Sequence, residues 1–190
     1  MILTRILPFC RNLLSEAVQP GSIAVDATAG NGHDSVFLAA LTGEEGHVFS
    51  FDIQQEAIDA TRRNLEDKGL SNRVTLFHKG HEFAEELIPD EYHGNISGAV
   101  FNLGYLPGGN KEIVTSPEGT IESIRQLFRM LKPEGIIVLV IYHGHPEGKL
   151  EKQSVLEFLQ SLPQEEAHVM QYQFINQKNN PPFICAIEKR

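Results

Sequence analysis

The sequence predicts an α/β fold in which a seven-stranded, mostly parallel sheet carries helices on both faces and an antiparallel strand at its C-terminal edge. Two patterns support this. Short apolar runs alternate with helix-like runs along most of the 190 residues, and the last two strand-like runs follow one another with no helix between them. Alternation of this kind is typical of doubly wound parallel sheets, and a terminal strand pair adds an antiparallel edge.

Seven strands are predicted from runs of β-branched and aromatic residues bounded by turn residues. They cover residues 22–25, 47–52, 73–77, 96–101, 136–142, 167–175 and 183–188. The last two should form an antiparallel pair around a long polar connection.

The helices are predicted from apolar residues at helical spacing and from signals at their ends. The first carries apolar residues from Leu3 to Val18, tolerates Pro8 near its start and should pack on the sheet. Gly69 and the sequence Lys-Pro-Glu-Gly at 132–135 end two of the others. The further predicted helices cover residues 35–41, 54–68, 81–87, 117–131 and 150–162.

Length and composition predict one domain, 1–190, in the cytosol. A chain of 190 residues falls within the usual size of a single domain. No apolar run is long enough to cross a bilayer, and no secretory signal is recognised at the N-terminus. Cys10 and Cys185 lie in apolar or amphipathic surroundings, which predicts reduced, packed thiols.

The formal net charge of -9 disfavours a sequence-independent nucleic-acid binder, which would carry a basic surface. The local field is what matters, however. Four lysines fall in loops expected at the carboxyl edge of the strands, where open α/β sheets bind ligands: Lys111, Lys149, Lys152 and Lys178. They are expected to rim the ligand crevice, although scattered lysines more often serve solubility alone.

A tight turn of small residues, 26–34, joins the first strand to the second helix. Gly30 and Gly32 allow positive φ and close approach of a ligand, and the following helix points free N–H groups at that ligand. The turn therefore predicts a nucleotide-cofactor loop. A carboxylate at Asp26 would repel a pyrophosphate but suits the ammonium group of S-adenosylmethionine. Asp52 follows about 20 residues later, as a ribose-binding acid should.

This order of strand, acid, glycine pair, helix, strand and acid resembles the class I S-adenosylmethionine-dependent methyltransferases. The resemblance implies a Rossmann-like fold, with Asp26 at the methionine moiety and Asp52 at the ribose. Further cofactor contacts are expected from Thr28, Gly30, Asn31, Gly32, Asp34, Gln54, His81, Glu82 and Asn102. Asp34 and His81 have helix capping as an alternative role. An NAD-dependent oxidoreductase is a weaker alternative, because Thr28 and Ser35 replace residues of its glycine fingerprint.

The loop after the fourth predicted strand, 102–109, resembles the Asn/Asp-Pro-Pro-Tyr motif of amine methyltransferases. Asn102 and Tyr105 keep the first and last places, while Leu103 and Gly104 replace the two prolines. The Asn102 amide oxygen would accept N–H bonds from a substrate amine and orient its lone pair. Tyr105 would stack on or orient a base, with loop packing as the alternative.

An alkyl amine is mostly protonated near neutral pH, so its proton must be lost before methyl transfer. Burial of the amine is the first explanation, and a histidine base, His143 or His145, is the second. These histidines alternate in a loop, and no Cys or carboxylate cluster accompanies them, so no metal site is predicted.

Together with the segments 142–145 and 176–182, these motifs resemble, over nearly the whole chain, a bacterial family of putative rRNA methylases. The family includes enzymes that act on the aminomethyl group of the tRNA wobble uridine. The resemblance implies N-methylation of 5-aminomethyl-2-thiouridine, an anticodon stem-loop as partner, and a homodimer. Substrate contacts would come from Tyr105, Lys111, Tyr142, His143, His145, Lys149 and Asn179. An rRNA or small-molecule amine methyltransferase and a non-catalytic subunit of a modification complex remain alternatives.

Overall fold

The computed structural model describes residues 2–104, 116–144 and 146–190 of the chain. Within these residues seven strands are present: β1 (Ile23–Asp26), β2 (His47–Asp52), β3 (Val74–His78), β4 (Ile96–Leu103), β5 (Leu131–Ile141), β6 (Ala167–Tyr172) and β7 (Phe183–Lys189). The helices are α1 (Ile6–Ala17), α2 (His33–Thr42), α3 (Gln55–Asp67), α4 (Ala84–Leu87), α5 (Pro117–Met130) and α6 (Pro146–Gln160).

The strands form one sheet in the order β3-β2-β1-β4-β5-β7-β6. Strands β1 to β5 are parallel, and β7 lies antiparallel between β5 and β6. The predicted seven-stranded, mostly parallel sheet with an antiparallel C-terminal edge is confirmed. The strand order reverses between β1 and β4, which is where doubly wound sheets bind ligands, at the carboxyl ends of the strands.

Two cores cover the two faces of the sheet. One includes Phe101, Leu127 and Leu159 and packs α4, α5 and α6 against the sheet. The other includes Leu14 and Leu38 and packs α1, α2 and α3 on the opposite face. Because the central strands are buried on both faces, their sequences are continuous apolar runs rather than alternating ones.

Several element boundaries differ from the prediction, including the start of α6, which lies at Pro146 rather than at residue 150. Strand β6 ends at Tyr172 rather than at residue 175. Strand β5 begins at Leu131, because residues 132–135 form an irregularity between two paired stretches: Ile96 pairs with Leu131, and Gly98 pairs with Ile136. Helix α2 begins two residues earlier than predicted, since Gly32 precedes it at a φ of 81°.

The two cysteines are free and buried, as predicted. Burial raises the pKa of each thiol, Cys10 and Cys185, to about 12, so both are protonated at neutral pH. No helix in the described part of the chain combines the length and apolar character that crossing a bilayer requires.

Gly98 of β4 lets helix α1 approach the sheet closely. A Cβ at this position would lie 2.7 Å from Cγ2 of Val18 and 3.5 Å from Cδ2 of Leu14, both of which are fully or almost fully buried. Helix α1 contacts β4 and β5 and contributes to the wall of the ligand cavity described below. The missing side chain at Gly98 therefore helps to fix the position of this wall.

We expect Gly98→Ala to lower the free energy of unfolding by about 1–3 kcal/mol, because the added methyl group overpacks the contact with Val18. Urea denaturation measures the change. Adding Val18→Ala should recover part of the loss, since it removes the clashing methyl groups. Gly144→Ala is the matched control, because a Cβ there would meet nothing within 4 Å. An equal loss in the control would contradict this account.

Candidate cofactor and substrate site

The loop between β1 and α2 has the backbone that its sequence predicted. Gly30 and Gly32 have φ values of 54° and 81°. A Cβ on Gly32 would lie 2.8 Å from the Cα of Thr61 in α3, so a side chain there would strike backbone. Glycine is required at this position by both the conformation and the close approach of α3.

Helix α3 fixes the loop with two side chains for which no role was predicted from the sequence. Thr61 Oγ1 donates a hydrogen bond to the carbonyl oxygen of Gly30 at 3.2 Å. Asn64 Nδ2 donates to the carbonyl oxygen of Asn31 at 2.8 Å. The sequence does place two polar residues three positions apart on one face of this helix. Such a pair usually faces solvent, so it does not by itself predict a contact with the loop.

Asp52, at the end of β2, fixes the other side of the loop. Its Oδ2 accepts a hydrogen bond from the Gly30 N–H at 2.9 Å, and its Oδ1 accepts one from the Gln54 N–H at 2.9 Å. Each carboxylate oxygen has a second lone pair. A ribose contact is therefore chemically available to Asp52 and stays a prediction. The contact that the structure gives Gln54 is through its backbone.

Asp26 lies beneath the loop rather than in the cavity. Its side chain has no exposed surface, and it accepts hydrogen bonds from Ser35 Oγ at 2.7 Å and from the Thr28 N–H at 3.2 Å. Burial first, and then the negative charge of Asp34, raise the pKa of Asp26 to about 7. The contacts in the structure give Asp26 the role of holding the loop, and its contact with an ammonium group stays a prediction.

A cavity of about 700 Å³ opens beside the loop, between the ends of β1, β4 and β5 and helix α1. The loop, Asp34, Asn102, Tyr142 and His143 contribute to its wall, and all were predicted site residues. The structure thus brings together predicted residues from three separate parts of the sequence. The wall also contains residues without a predicted role there: Leu7, Cys10, Arg11, His33 and Asn180.

Asn102 is held from two sides. Its backbone N–H donates to Thr28 Oγ1 at 2.7 Å, and its amide Nδ2 donates to Asp34 Oδ2 at 2.8 Å. Since the amide nitrogen is bonded to Asp34, the amide oxygen is the acceptor that remains in this side chain. Arg11 Nη2 lies 3.5 Å from the other oxygen of Asp34.

Tyr142 and His143 follow the end of β5 and form another part of the wall. The Tyr142 N–H donates to the carbonyl oxygen of Leu103 at 3.0 Å, so this segment continues the pairing of β4 with β5. The His143 ring lies edge-on to Phe183, with centroids 5.4 Å apart. Burial lowers the pKa of His143, and the positive charge of Lys152 lowers it further, which favours a neutral imidazole at physiological pH.

A second cavity, of about 440 Å³, adjoins the first and shares His143 and Asn180 with it. Two lysines of α6, Lys149 and Lys152, and one carboxylate, Glu157, line this cavity, which we call the basic groove for its excess of positive charge. Lys152 Nζ lies 5.3 Å from the centre of the Phe183 ring. The predicted lysine rim is thus represented here by two of its members.

Asn180, rather than its predicted neighbour Asn179, reaches both cavities. Both residues have positive φ, 65° for Asn179 and 49° for Asn180. Within such a turn, a shift of one residue decides which side chain faces the cleft. Of the other two members of the predicted rim, Lys178 does not line either cavity, and Lys111 lies outside the described residues.

Neither His81 nor Glu82 lines the cavity. His81 is buried, and its Nδ1 lies 3.0 Å from the carbonyl oxygen of Ala27, at the end of β1. The alternative that His81 caps a helix is wrong, because its side chain bonds to the end of β1 rather than to a backbone group of its own helical turn. The carbonyl oxygen of Glu82 accepts from Gln126 in α5 at 2.9 Å. Cofactor contacts of either residue stay predictions, and the predicted roles of Tyr105 and His145 also lie outside the described residues.

Helix α1 contributes Leu7, Cys10 and Arg11 to the cavity. Their spacing of three and four residues places them on one helix face, for which the sequence predicted packing on the sheet alone. Among the residues that the structure describes, no group of three or more His, Cys, Asp and Glu side chains is arranged to hold a metal ion.

The cavity and its loop fit S-adenosylmethionine. Two glycines of positive φ bring the backbone to the cavity surface, Asp52 keeps free lone pairs, and Asn102 closes the adjoining wall. Together with the sheet order, these features define a class I S-adenosylmethionine-dependent methyltransferase. Residues 48–188 match the family described as "Putative rRNA methylase", and the chain belongs to this family.

Similar proteins agree with this assignment. The chain is 42% identical to a "putative rRNA-methylase" from Clostridium thermocellum, whose crystal structure superposes with a TM-score of 0.96 over the whole of both chains. It is 36% identical to a Streptococcus mutans methyltransferase in complex with SAH, with a TM-score of 0.90 over the whole of both chains. It is also 34% identical to the Arabidopsis thaliana "tRNA (mnm(5)s(2)U34)-methyltransferase, chloroplastic"; the match covers 92% of this chain and 66% of that protein.

We expect Asp26→Asn to flatten the pH dependence of stability. Since folding raises the pKa of Asp26 from 3.8 to about 7, the native state binds the proton more tightly, and the stability this confers is lost as pH rises through that interval. Relative to the variant, the wild-type protein should lose on the order of 2–4 kcal/mol of unfolding free energy between about pH 4 and pH 8. Urea denaturation over this range measures the difference.

Asp67→Asn is the matched control for this prediction, because Asp67 is exposed at the last residue of α3. Its stability should follow the wild-type curve at every pH. Parallel curves for Asp26→Asn and the wild-type protein would show that Asp26 is not the group that titrates.

Proposed function

We propose that this methyltransferase acts on RNA and methylates the amine of 5-aminomethyl-2-thiouridine at the tRNA wobble position, giving 5-methylaminomethyl-2-thiouridine. The observation that carries the proposal is the position of Asn102, at the end of β4 in the wall of the cavity that adjoins the cofactor loop. The similarity to the Arabidopsis protein, whose name states this reaction, supports the tRNA substrate.

When bound, S-adenosylmethionine supplies an electrophilic methyl group on a positively charged sulfur. The protein's own contribution is to position the amine and to remove water, because a displacement of this kind needs no covalent nucleophile. The loop, held by Asp52, Thr61 and Asn64, provides a fixed backbone on one side of the cavity. The Asn102 amide, held by Thr28 and Asp34, provides a fixed acceptor on the other.

The amine must lose a proton before it can react, and His143 is the described residue best suited to receive it. Its depressed pKa keeps the ring neutral and therefore able to accept a proton near neutral pH. His143 lies in the wall of the cavity, and its Nδ1 is buried. Burial of the amine would favour the same deprotonated form.

The basic groove gives the proposed RNA partner a place to bind. The groove meets the cavity at His143 and Asn180, so a phosphate next to the target nucleotide would lie between Lys149 and Lys152. An unstacked loop nucleotide is what a cavity of this size admits, and anticodon loops present such nucleotides. A locally basic groove also explains how a chain of net charge -9 could bind RNA.

The proposal is tested with purified protein, S-adenosylmethionine and tRNA from a strain that accumulates 5-aminomethyl-2-thiouridine. Nucleoside mass spectrometry should show a gain of one methyl group on this nucleoside. No reaction with this tRNA would refute the proposal. Methylation of rRNA fragments or of small primary amines under the same conditions would instead favour an rRNA or a small-molecule amine methyltransferase. A homodimer and a cytosolic location stay predictions.

We expect Asp52→Ala chiefly to weaken cofactor binding and Asn102→Ala chiefly to lower turnover. Asp52→Ala removes the acceptor that holds Gly30 and should weaken SAH binding at least about tenfold, as measured by calorimetry. Asn102→Ala leaves the loop bonds of Asp52 intact, since its own loop contact is made by its backbone, and should chiefly lower kcat. Equal losses of SAH affinity in the two variants would contradict this division.

A further inference from the structure

Asp34 makes no capping contact to α2, and its predicted cofactor contact stays a prediction. It is the second residue of α2, its side chain is 20% exposed, and it lies in the wall of the cavity. Its side-chain contacts are made to residues outside the glycine loop: Oδ2 accepts a hydrogen bond from Asn102, and Oδ1 lies near Arg11. The carboxylate therefore stands beside the residue proposed to position the amine.

The negative charge of Asp34 is not cancelled by Arg11. The pair is 3.5 Å apart, the Arg11 side chain is 47% exposed and its guanidinium lies over the Phe37 ring, so solvent screens the contact. The negative charge of Asp34 also changes the pKa values of other neighbouring groups. Burial is the largest cause of the raised pKa values of Cys10, Asp26 and Tyr142, and Asp34 is the second cause for each of them. For Cys10 this effect exceeds the opposing effect of Arg11.

We propose that Asp34 and the amide oxygen of Asn102 together bind the substrate's primary amine, and that Asp34 makes the site select a cationic group over a neutral one. This inference rests on the proposed function and adds to it the residue that recognises the amine. A carboxylate and an amide oxygen are both acceptors, and an ammonium group offers three donors to them. The Asp34–Asn102 hydrogen bond of 2.8 Å keeps the two acceptors in one place.

The same carboxylate opposes loss of the proton from the ammonium group but favours the transfer step that follows. After one proton has left the ammonium group, the nitrogen lone pair forms a bond to the methyl carbon, the carbon–sulfur bond breaks and its electron pair stays on sulfur. The positive charge passes from sulfur to nitrogen. A fixed anion beside the nitrogen stabilises this developing charge, whereas a neutral acceptor stabilises it less.

The test compares two synthetic anticodon stem-loops, one with 5-aminomethyluridine and one with 5-hydroxymethyluridine at the wobble position, each titrated into the protein with SAH. The wild-type protein should bind the amine at least about tenfold more tightly, as expected for one charge-assisted hydrogen bond. Asp34→Asn keeps the shape but not the charge, and its preference should fall to about twofold or less. Asp67→Asn should keep the wild-type preference.

Two measurements distinguish recognition of the amine by the Asp34 charge from a purely structural or cofactor-binding role of this residue. SAH affinity and melting temperature are measured for Asp34→Asn and for the wild-type protein; because the preference is a ratio of two affinities in the same protein, its loss should exceed any change in SAH affinity. Asp34→Glu, which restores the charge, should recover part of the preference. An unchanged preference in Asp34→Asn, or a loss of SAH affinity that accounts for it, would overturn the assignment.

The proposed function can fail separately, if the wild-type protein binds neither stem-loop or leaves the aminomethyl group unmethylated. In that case the nucleosides 5-aminomethyluridine and 5-hydroxymethyluridine are titrated while the Asn102 side-chain amide is followed by NMR. The proposal expects a shift with the amine in the wild-type protein and a much smaller one in Asp34→Asn. No shift with the amine, or equal shifts in the two proteins, would overturn it.

Discussion

The hydrogen bond from the Gly30 N–H to the Asp52 carboxylate is the contact on which the site depends. It joins the loop after β1 to the end of β2, and the bonds from Thr61 and Asn64 hold the same loop from α3. On the other side, Thr28 accepts from the Asn102 N–H and so joins the loop to β4. A backbone fixed from three directions needs little reorganisation when a ligand binds, which is the main advantage of a preorganised site.

Three aspartates surround this loop, and their roles differ with how deeply each side chain is buried. Asp26 is fully buried, its pKa is raised to about 7, and its partners are Ser35 and the Thr28 N–H. Asp52 is partly exposed and bonded to two backbone N–H groups, whereas Asp34 stands in the cavity wall beside Asn102. The same chemical group thus serves as internal support, as loop anchor and as a charge facing the cavity.

The sequence predicted the sheet well because each central strand is buried on both faces and leaves a continuous apolar run. It also indicated Asp26, Asp52 and the glycines, since their spacing along one βαβ unit is local. The contact between Asp34 and Asn102 could not be predicted in this way, because 68 positions separate the two residues and the sheet brings them together. For the same reason, the roles of Thr61 and Arg11 depend on helices packed beside the loop. In the turn at 179–180, nothing in the sequence distinguishes which asparagine faces the cleft.

The position of β7 has a consequence for biosynthesis. This strand lies between β5 and β6, so the edge of β5 that pairs with it, Ile136–Ile141, has no partner until residues 183–189 have left the ribosome. Until then a growing chain exposes an apolar strand edge, and β6 remains unattached although it was made earlier. An open edge of this kind invites pairing with other chains, so the interval before β7 emerges is the period in which a nascent chain most needs a chaperone.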